Sequence, residues 1–158
     1  MNRLILKGRK VVGGAAAGEA LVTQQNISTW GGVDALKGII TERRHELNGQ
    51  SFTDKILVFP SAKGSSGWST VTQVIRLTGK APKAMIIREI NSLTGIGSVI
   101  MGVPTMTDLD KDPTKVISTG DWVRMDADKG IVEVSKKREI PSPKKSKDPE
   151  MVSRGKKK

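Results

Sequence analysis

Two short apolar runs, Ile56-Leu57-Val58-Phe59 and Ala84-Met85-Ile86-Ile87, constrain the fold of this chain more than any other feature. A run without polar alternation is the pattern of a strand covered on both faces. Between the two, Trp68, Val71, Val74, Ile75 and Thr78 recur at three- and four-residue spacings, which predicts a helix of about three turns ending near Gly79. Strand, helix and strand in that order imply a parallel pair joined by a right-handed crossover.

The flanking sequence adds strands. Residues 4–22 alternate short apolar segments with glycine, as strands with tight bends do. Asn26 to Asp34 reads as a loop whose paired Gly31 and Gly32 permit close backbone approach or positive φ. A short strand follows at Gly38-Ile39-Ile40. Asn91-Ser92-Leu93-Thr94 begins another short helix, and Ser98 to Pro104 reads as a further buried strand. Residues 121–125 and 130–134 alternate around Asp126-Ala127-Asp128-Lys129-Gly130, so a β-hairpin closes the domain. The sum is an α/β domain with a mixed sheet and few helices. A chain of 158 residues holds one such domain with a real core, placed here at residues 1–135.

The formal net charge of +11 raises the question of nucleic acid. From Lys136 onward there are ten basic and three acidic residues, so +7 of the +11 lies in the last 23 residues. That segment, 136–158, joins like charge to proline and has few apolar side chains; it is expected to be a disordered basic tail. The body has no tyrosine, two phenylalanines and three tryptophans, too few platforms for stacking bases, which argues against a nucleic-acid partner. No apolar stretch approaches the roughly 20 residues that cross a bilayer. The charged residues around Leu4-Ile5-Leu6 do not make a signal peptide, and cysteine is absent, so a cytoplasmic location is expected. Without thiolates the chain offers no ligand set for an iron–sulfur cluster, and no metal site is expected in it. Its single histidine, His45, lies in the polar stretch Thr41 to Leu47, read as solvated and given no catalytic role.

Chemistry concentrates at Pro60-Ser61-Ala62-Lys63-Gly64-Ser65-Ser66-Gly67-Trp68-Ser69, between the end of a buried strand and the start of a helix. Free backbone N–H groups and the helix dipole favour an anion there, glycine permits close approach, and Lys63 adds a positive charge. Taken by itself, the segment is better explained by Ser65 or Ser66 as a helix N-cap. It lacks the Gly-x-x-x-x-Gly-Lys-Ser/Thr order of a nucleotide loop and the Gly-x-Ser-x-Gly order of a hydrolase.

Four separated segments taken together resemble the aconitase X swivelling domain: Ser28-Thr29-Trp30-Gly31-Gly32-Val33-Asp34 with Gly38-Ile39-Ile40, the Pro60 to Ser69 segment, Ala81-Pro82-Lys83-Ala84, and Gly102-Val103-Pro104. The resemblance implies an aconitase-like swivelling β/β/α fold and a dehydratase split into two subunits. It places the iron–sulfur cluster and most substrate contacts on an aconitase X large subunit, with no cofactor in this chain. It assigns the proton-abstracting base to Ser65, with Lys63, Gly64 and Ser66 as substrate-binding neighbours. The substrate is then a small hydroxy acid such as cis-3-hydroxy-L-proline or mevalonate 5-phosphate. The stretch Met106 to Pro113 departs from archaeal members of the second kind. Arg88, at the end of the second buried strand, is either a surface residue or a contact for an anionic substrate; Trp30 and Trp68 are read as packing or interface residues. Two other readings stand beside this one: a non-catalytic anion-binding or regulatory module, and a nucleic-acid binder acting through its basic tail.

Overall fold

The computed structural model describes residues 3–137. The tail from residue 138 onward lies outside the described residues. Along the chain come β1 (Arg3–Lys7), β2 (Arg9–Val12), β3 (Ala15–Val22), β4 (Val33–Asp34), β5 (Ile39–Ile40) and β6 (Ile56–Phe59). They are followed by α1 (Gly67–Leu77), β7 (Ala84–Ile87), α2 (Ser92–Met101), β8 (Thr105–Thr107), α3 (Pro113–Val116), β9 (Trp122–Asp126) and β10 (Ile131–Ser135).

Eight of these strands form one mixed sheet in the order β1-β10-β9-β3-β6-β7-β8-β2, and β4 pairs with β5 in a separate ribbon. The middle of the sheet, β3-β6-β7-β8, is parallel, with Ile56 opposite Ala84 and Phe59 opposite Ile87. The antiparallel flank includes the expected C-terminal hairpin, in which Ile131 faces Asp126. The long β3 serves both regions: Ala15 to Glu19 pair with β9, and Ala20 to Val22 pair with β6. Although β1 and β2 stand at opposite ends of the strand order, only Gly8 separates them in sequence. The sheet therefore curls until its two edge strands meet at that residue. A side chain at Gly8 would not fit, since a Cβ there would lie 2.3 Å from Leu109 Cδ2 and 2.8 Å from the Thr107 carbonyl oxygen.

Successive residues of a strand point to opposite faces, and the two apolar runs divide accordingly. Ile56, Val58, Ala84 and Ile86 face a core shared with Leu6, Val123, Val132 and Val134. Leu57, Phe59, Met85 and Ile87 face a second core with Trp68, Ile75 and Met101 from the helices. Every residue of β6 and β7 is buried, which is why neither run needed polar alternation.

The region after β7 differs from the sequence expectation. Ser98 to Met101, read as the start of a buried strand, form the last turn of α2, and the strand lies later, at Thr105–Thr107. Local chemistry fixes the helix at both ends. Asn91 Oδ1 accepts the Thr94 N–H at 3.0 Å while Thr94 Oγ1 accepts the Asn91 N–H at 3.0 Å, a reciprocal capping box, and Gly102 ends the helix at φ 71°. The short helix expected at Asn91 to Thr94 is thus the first turn of a longer one, and β7-α2-β8 forms a second parallel crossover.

Helices α1 and α2 pack closely because Gly97 presents no side chain: a Cβ there would sit 3.0 Å from Trp68 Cε3 and 3.2 Å from Thr72 Cγ2. Gly97→Val is expected to destabilise the domain by about 1–3 kcal/mol through overpacking. Its chemical-denaturation midpoint should fall at an unchanged m-value, and a midpoint equal to wild type would show that the helices can separate freely.

Candidate functional site

The turn between β6 and α1 is anchored on one side and free on the other. On the anchored side, Ile27 and Ala62 form a parallel bridge. The Ile27 N–H donates to Ser61 O at 3.1 Å and the Lys63 N–H donates to Ile27 O at 3.0 Å. Asn91, the cap of α2, donates through Nδ2 to Ala62 O at 3.1 Å. Trp68 is buried, its ring stacked on Phe59 with centroids 6.3 Å apart and planes at 21°, and its Nε1 donates to Lys63 O at 3.2 Å. A buried indole N–H needs such a partner, so a core side chain fixes the backbone at Lys63.

On the free side the four residues singled out from sequence, Lys63, Gly64, Ser65 and Ser66, are consecutive and all exposed. Gly64 turns the chain at φ 102°, a conformation that side-chain-bearing residues rarely adopt. Ser66 occupies the N-cap position of α1 in an αR conformation, but its side chain makes no capping bond. Ser65 Oγ accepts the Gly67 N–H at 3.4 Å, longer than an ordinary cap. The serine-cap alternative is therefore weakly realised. Among the described residues no hydrogen bond engages the amides of Gly64, Ser65 or Ser66, and the first turn of α1 carries no acidic side chain. Unpaired amides at the positive end of an eleven-residue helix suit an anion.

Lys63 does not stand as the uncompensated positive charge expected from sequence, because its ammonium donates to Glu42 Oε1. Glu42 lies 21 residues earlier, just after β5, so only the tertiary fold brings it to this turn. Its other carboxylate oxygen, Oε2, is buried and has no hydrogen-bond partner among the described residues; Thr29 Oγ1 is in the same condition.

The remaining sequence candidates separate clearly. Trp30 is 71% exposed, and its ring lies over the start of α1, 3.3 Å from where a Cβ on Gly67 would stand. Gly32 is a close-approach glycine, since a Cβ there would fall 2.0 Å from the Ser28 carbonyl oxygen. Arg88 pairs with Asp112 at 3.6 Å. Burial raises the Asp112 carboxyl, but hydrogen bonds from Thr114 and the charge of Arg88 outweigh it and leave the group below its ordinary value. His45 is not solvated as expected but only 5% exposed. Its Nδ1 accepts the Leu47 N–H at 3.1 Å, which leaves Nε2 to donate to Asn26 O at 3.2 Å. The imidazole is a structural brace within the loop before β6, and its polar sequence neighbours give no hint of that.

No residue here fits an iron–sulfur cluster: the sequence has no cysteine, and the described residues contain no grouping of three or more His, Asp or Glu with the geometry to hold a metal. Nor is any helix among the described residues long and apolar enough to cross a membrane.

A family model for the aconitase X swivel domain matches residues 5–134, the whole of the described domain but for its ends. The chain belongs to the aconitase X swivel family. Among curated relatives of this family member, the phosphomevalonate dehydratase small subunit of Thermococcus onnurineus is 43% identical over 129 residues, covering 82% of this chain and 97% of the relative. That of Thermococcus gammatolerans is 44% identical with 82% and 96% coverage. A crystal structure of Thermococcus kodakaraensis aconitase X in its holo form superposes with a TM-score of 0.79 at 41% identity, covering 84% of this chain and 99% of that one. The mixed-sheet swivel fold expected from sequence is the fold of this family, and the relatives are subunits of a hydro-lyase.

Proposed function

We propose that this chain is the small subunit of a two-subunit dehydratase that removes water from a small phosphorylated hydroxy acid, mevalonate 5-phosphate, with Ser65 as the base. The observation that carries the reading is the Ser65 hydroxyl itself: exposed, flanked by Gly64, beside unengaged amides at the start of α1, in a family whose relatives are dehydratase small subunits. Residues 1–135 form the working domain, and the basic segment beyond it has no part in the chemistry. The enzyme is placed in the cytoplasm, and the iron–sulfur cluster on the large subunit.

A serine hydroxyl is ordinarily far too weak a base to take a proton from carbon. Its alkoxide becomes useful where N–H donors and positive potential surround it and water is excluded. The turn supplies the donors and the helix dipole supplies potential, while Lys63 shares its charge with Glu42. Closure against the large subunit would exclude water from an oxygen that is exposed in the lone chain. Ser65 Oγ then receives the proton from the substrate carbon, and assistance to the departing hydroxyl falls to the large subunit. The chain is therefore expected to be inactive alone.

Co-expression with an aconitase X large subunit, followed by dehydration assays on mevalonate 5-phosphate and on cis-3-hydroxy-L-proline, tests the reading. Turnover of the phosphorylated substrate by the complex and by neither subunit alone is the expected result. Turnover confined to hydroxyproline overturns the choice of substrate. A stable complex that dehydrates neither compound favours the anion-binding or regulatory alternative.

A further inference from the structure

We propose that Glu42 is a positioning residue for the Ser65 turn and acts through Lys63; the inference rests on the reading of Ser65 as the base. Among the described residues, Gly64 makes no hydrogen bond, and Ser65 and Ser66 only accept them from residues 67–69, at the start of the following helix. Within residues 63–66, the ties to the rest of the domain therefore converge on Lys63. Its N–H reaches Ile27 O, its carbonyl receives the Trp68 indole N–H, and its ammonium reaches Glu42. Two of these three grips hold the main chain; Glu42 alone holds the side chain.

Glu42 is itself clamped. Its N–H donates to Gly32 O at 3.2 Å, and its carbonyl accepts the His45 N–H at 3.1 Å and Asn48 Nδ2 at 2.9 Å. A carboxylate presented from so fixed a backbone has little freedom to follow a moving lysine, so the lysine is held to it. The buried Oε2, without a partner among the described residues, strengthens the constraint, because without Lys63 the carboxylate would lose the one ionic partner it has among them while staying partly desolvated. An ordinary surface ion pair, solvated on both oxygens, would carry no such penalty. Glu42 also compensates the lysine charge beside the substrate position, so an incoming anion meets a lysine that is already oriented and only partly available.

The experiment joins two readouts, kinetics of the assembled two-subunit enzyme and amide hydrogen exchange across residues 63–67 in the full small subunit. Glu42→Gln and Lys63→Met are each expected to speed that exchange and to lower kcat by roughly tenfold, as a small misplacement of a reacting group does; KM should move less than about threefold in Glu42→Gln, and rise further in Lys63→Met, which also removes a substrate-binding charge. Residues acting through one contact do not multiply, so the double variant should match the worse single variant. Lys63→Arg, which keeps a cation within reach of Glu42, should recover most of the loss. Wild-type kcat in Glu42→Gln, unchanged exchange, or multiplicative losses in the double variant would each overturn the proposal. Should Glu42→Gln not fold, Lys63→Met at its exposed position gives the same two readouts. Ser65→Ala keeps the two failures apart: full activity in that variant defeats the base assignment, while the exchange coupling between Glu42 and the turn would still stand.

Discussion

Ser65→Ala is expected to lower kcat of the assembled enzyme by about 10²–10⁴, the range that a positioned general base contributes, while leaving the fold intact. The second half of that expectation follows from how little the hydroxyl does structurally. It is exposed, and its one hydrogen bond within the described residues is a long contact of 3.4 Å with the Gly67 N–H. Exposed substitutions away from caps, cores and networks change stability by less than about 0.5 kcal/mol. A large loss of turnover with an unshifted melting transition and an intact complex would therefore mark a chemical role. Were Ser65 a helix cap and nothing more, the reverse pattern would appear: a stability loss of about 1 kcal/mol and turnover near wild type.

The same structure explains which parts of the molecule could be read from sequence. The runs at Ile56 to Phe59 and Ala84 to Ile87 were legible because burial on both faces removes polar alternation, and α1 because its apolar residues fall on one side. The end of α2 was misread because Val99, Ile100 and Met101 are as apolar as a strand, while the signals that decide the matter, the Asn91 and Thr94 box and the left-handed Gly102, lie at its ends. Closure of the sheet at Gly8 left no local trace, since it depends on β1 and β2 reaching opposite edges. At the site, the loop's place between strand and helix was legible. A role for Ser65 came only from family resemblance, since serine before a helix is ordinarily a cap. Glu42 was invisible, because nothing in a polar stretch 21 residues away announces that one carboxylate will meet Lys63. His45 was misjudged for the same reason: its burial is decided by Asn26 and by the backbone of Leu47, not by the charged residues beside it.

The largest stability loss is expected at Asp121, which no sequence pattern marks. Its side chain is 2% exposed and fully engaged: Oδ2 accepts the Ser118 N–H at 2.9 Å and the Lys136 ammonium at 3.0 Å, and Oδ1 accepts the Lys137 N–H at 2.9 Å. It thereby fastens the turn before β9 to the chain leaving β10. Burial raises this carboxyl, but the Lys137 and Ser118 N–H groups and the Lys136 ammonium more than offset that, and the group titrates below its ordinary value. Asp121→Ala leaves two backbone donors unpaired and is expected to cost about 3 kcal/mol, or roughly 10 °C in melting temperature. Asp121→Asn keeps the shape but turns one acceptor into a donor facing other donors, so most of the loss should remain. A carboxyl whose folded value is depressed stabilises the protein fully above its unfolded value, about 3.9, and the contribution fades as pH falls through the lower folded value. The gap in unfolding free energy between wild type and Asp121→Asn should accordingly be widest above about pH 5 and narrow steadily as pH falls below about 4. Glu46 and Asp112, also held below their ordinary values, titrate in both proteins and cancel in the difference. A gap that stays constant down to the acid transition would mean that the charge of Asp121 contributes nothing and that only its shape matters.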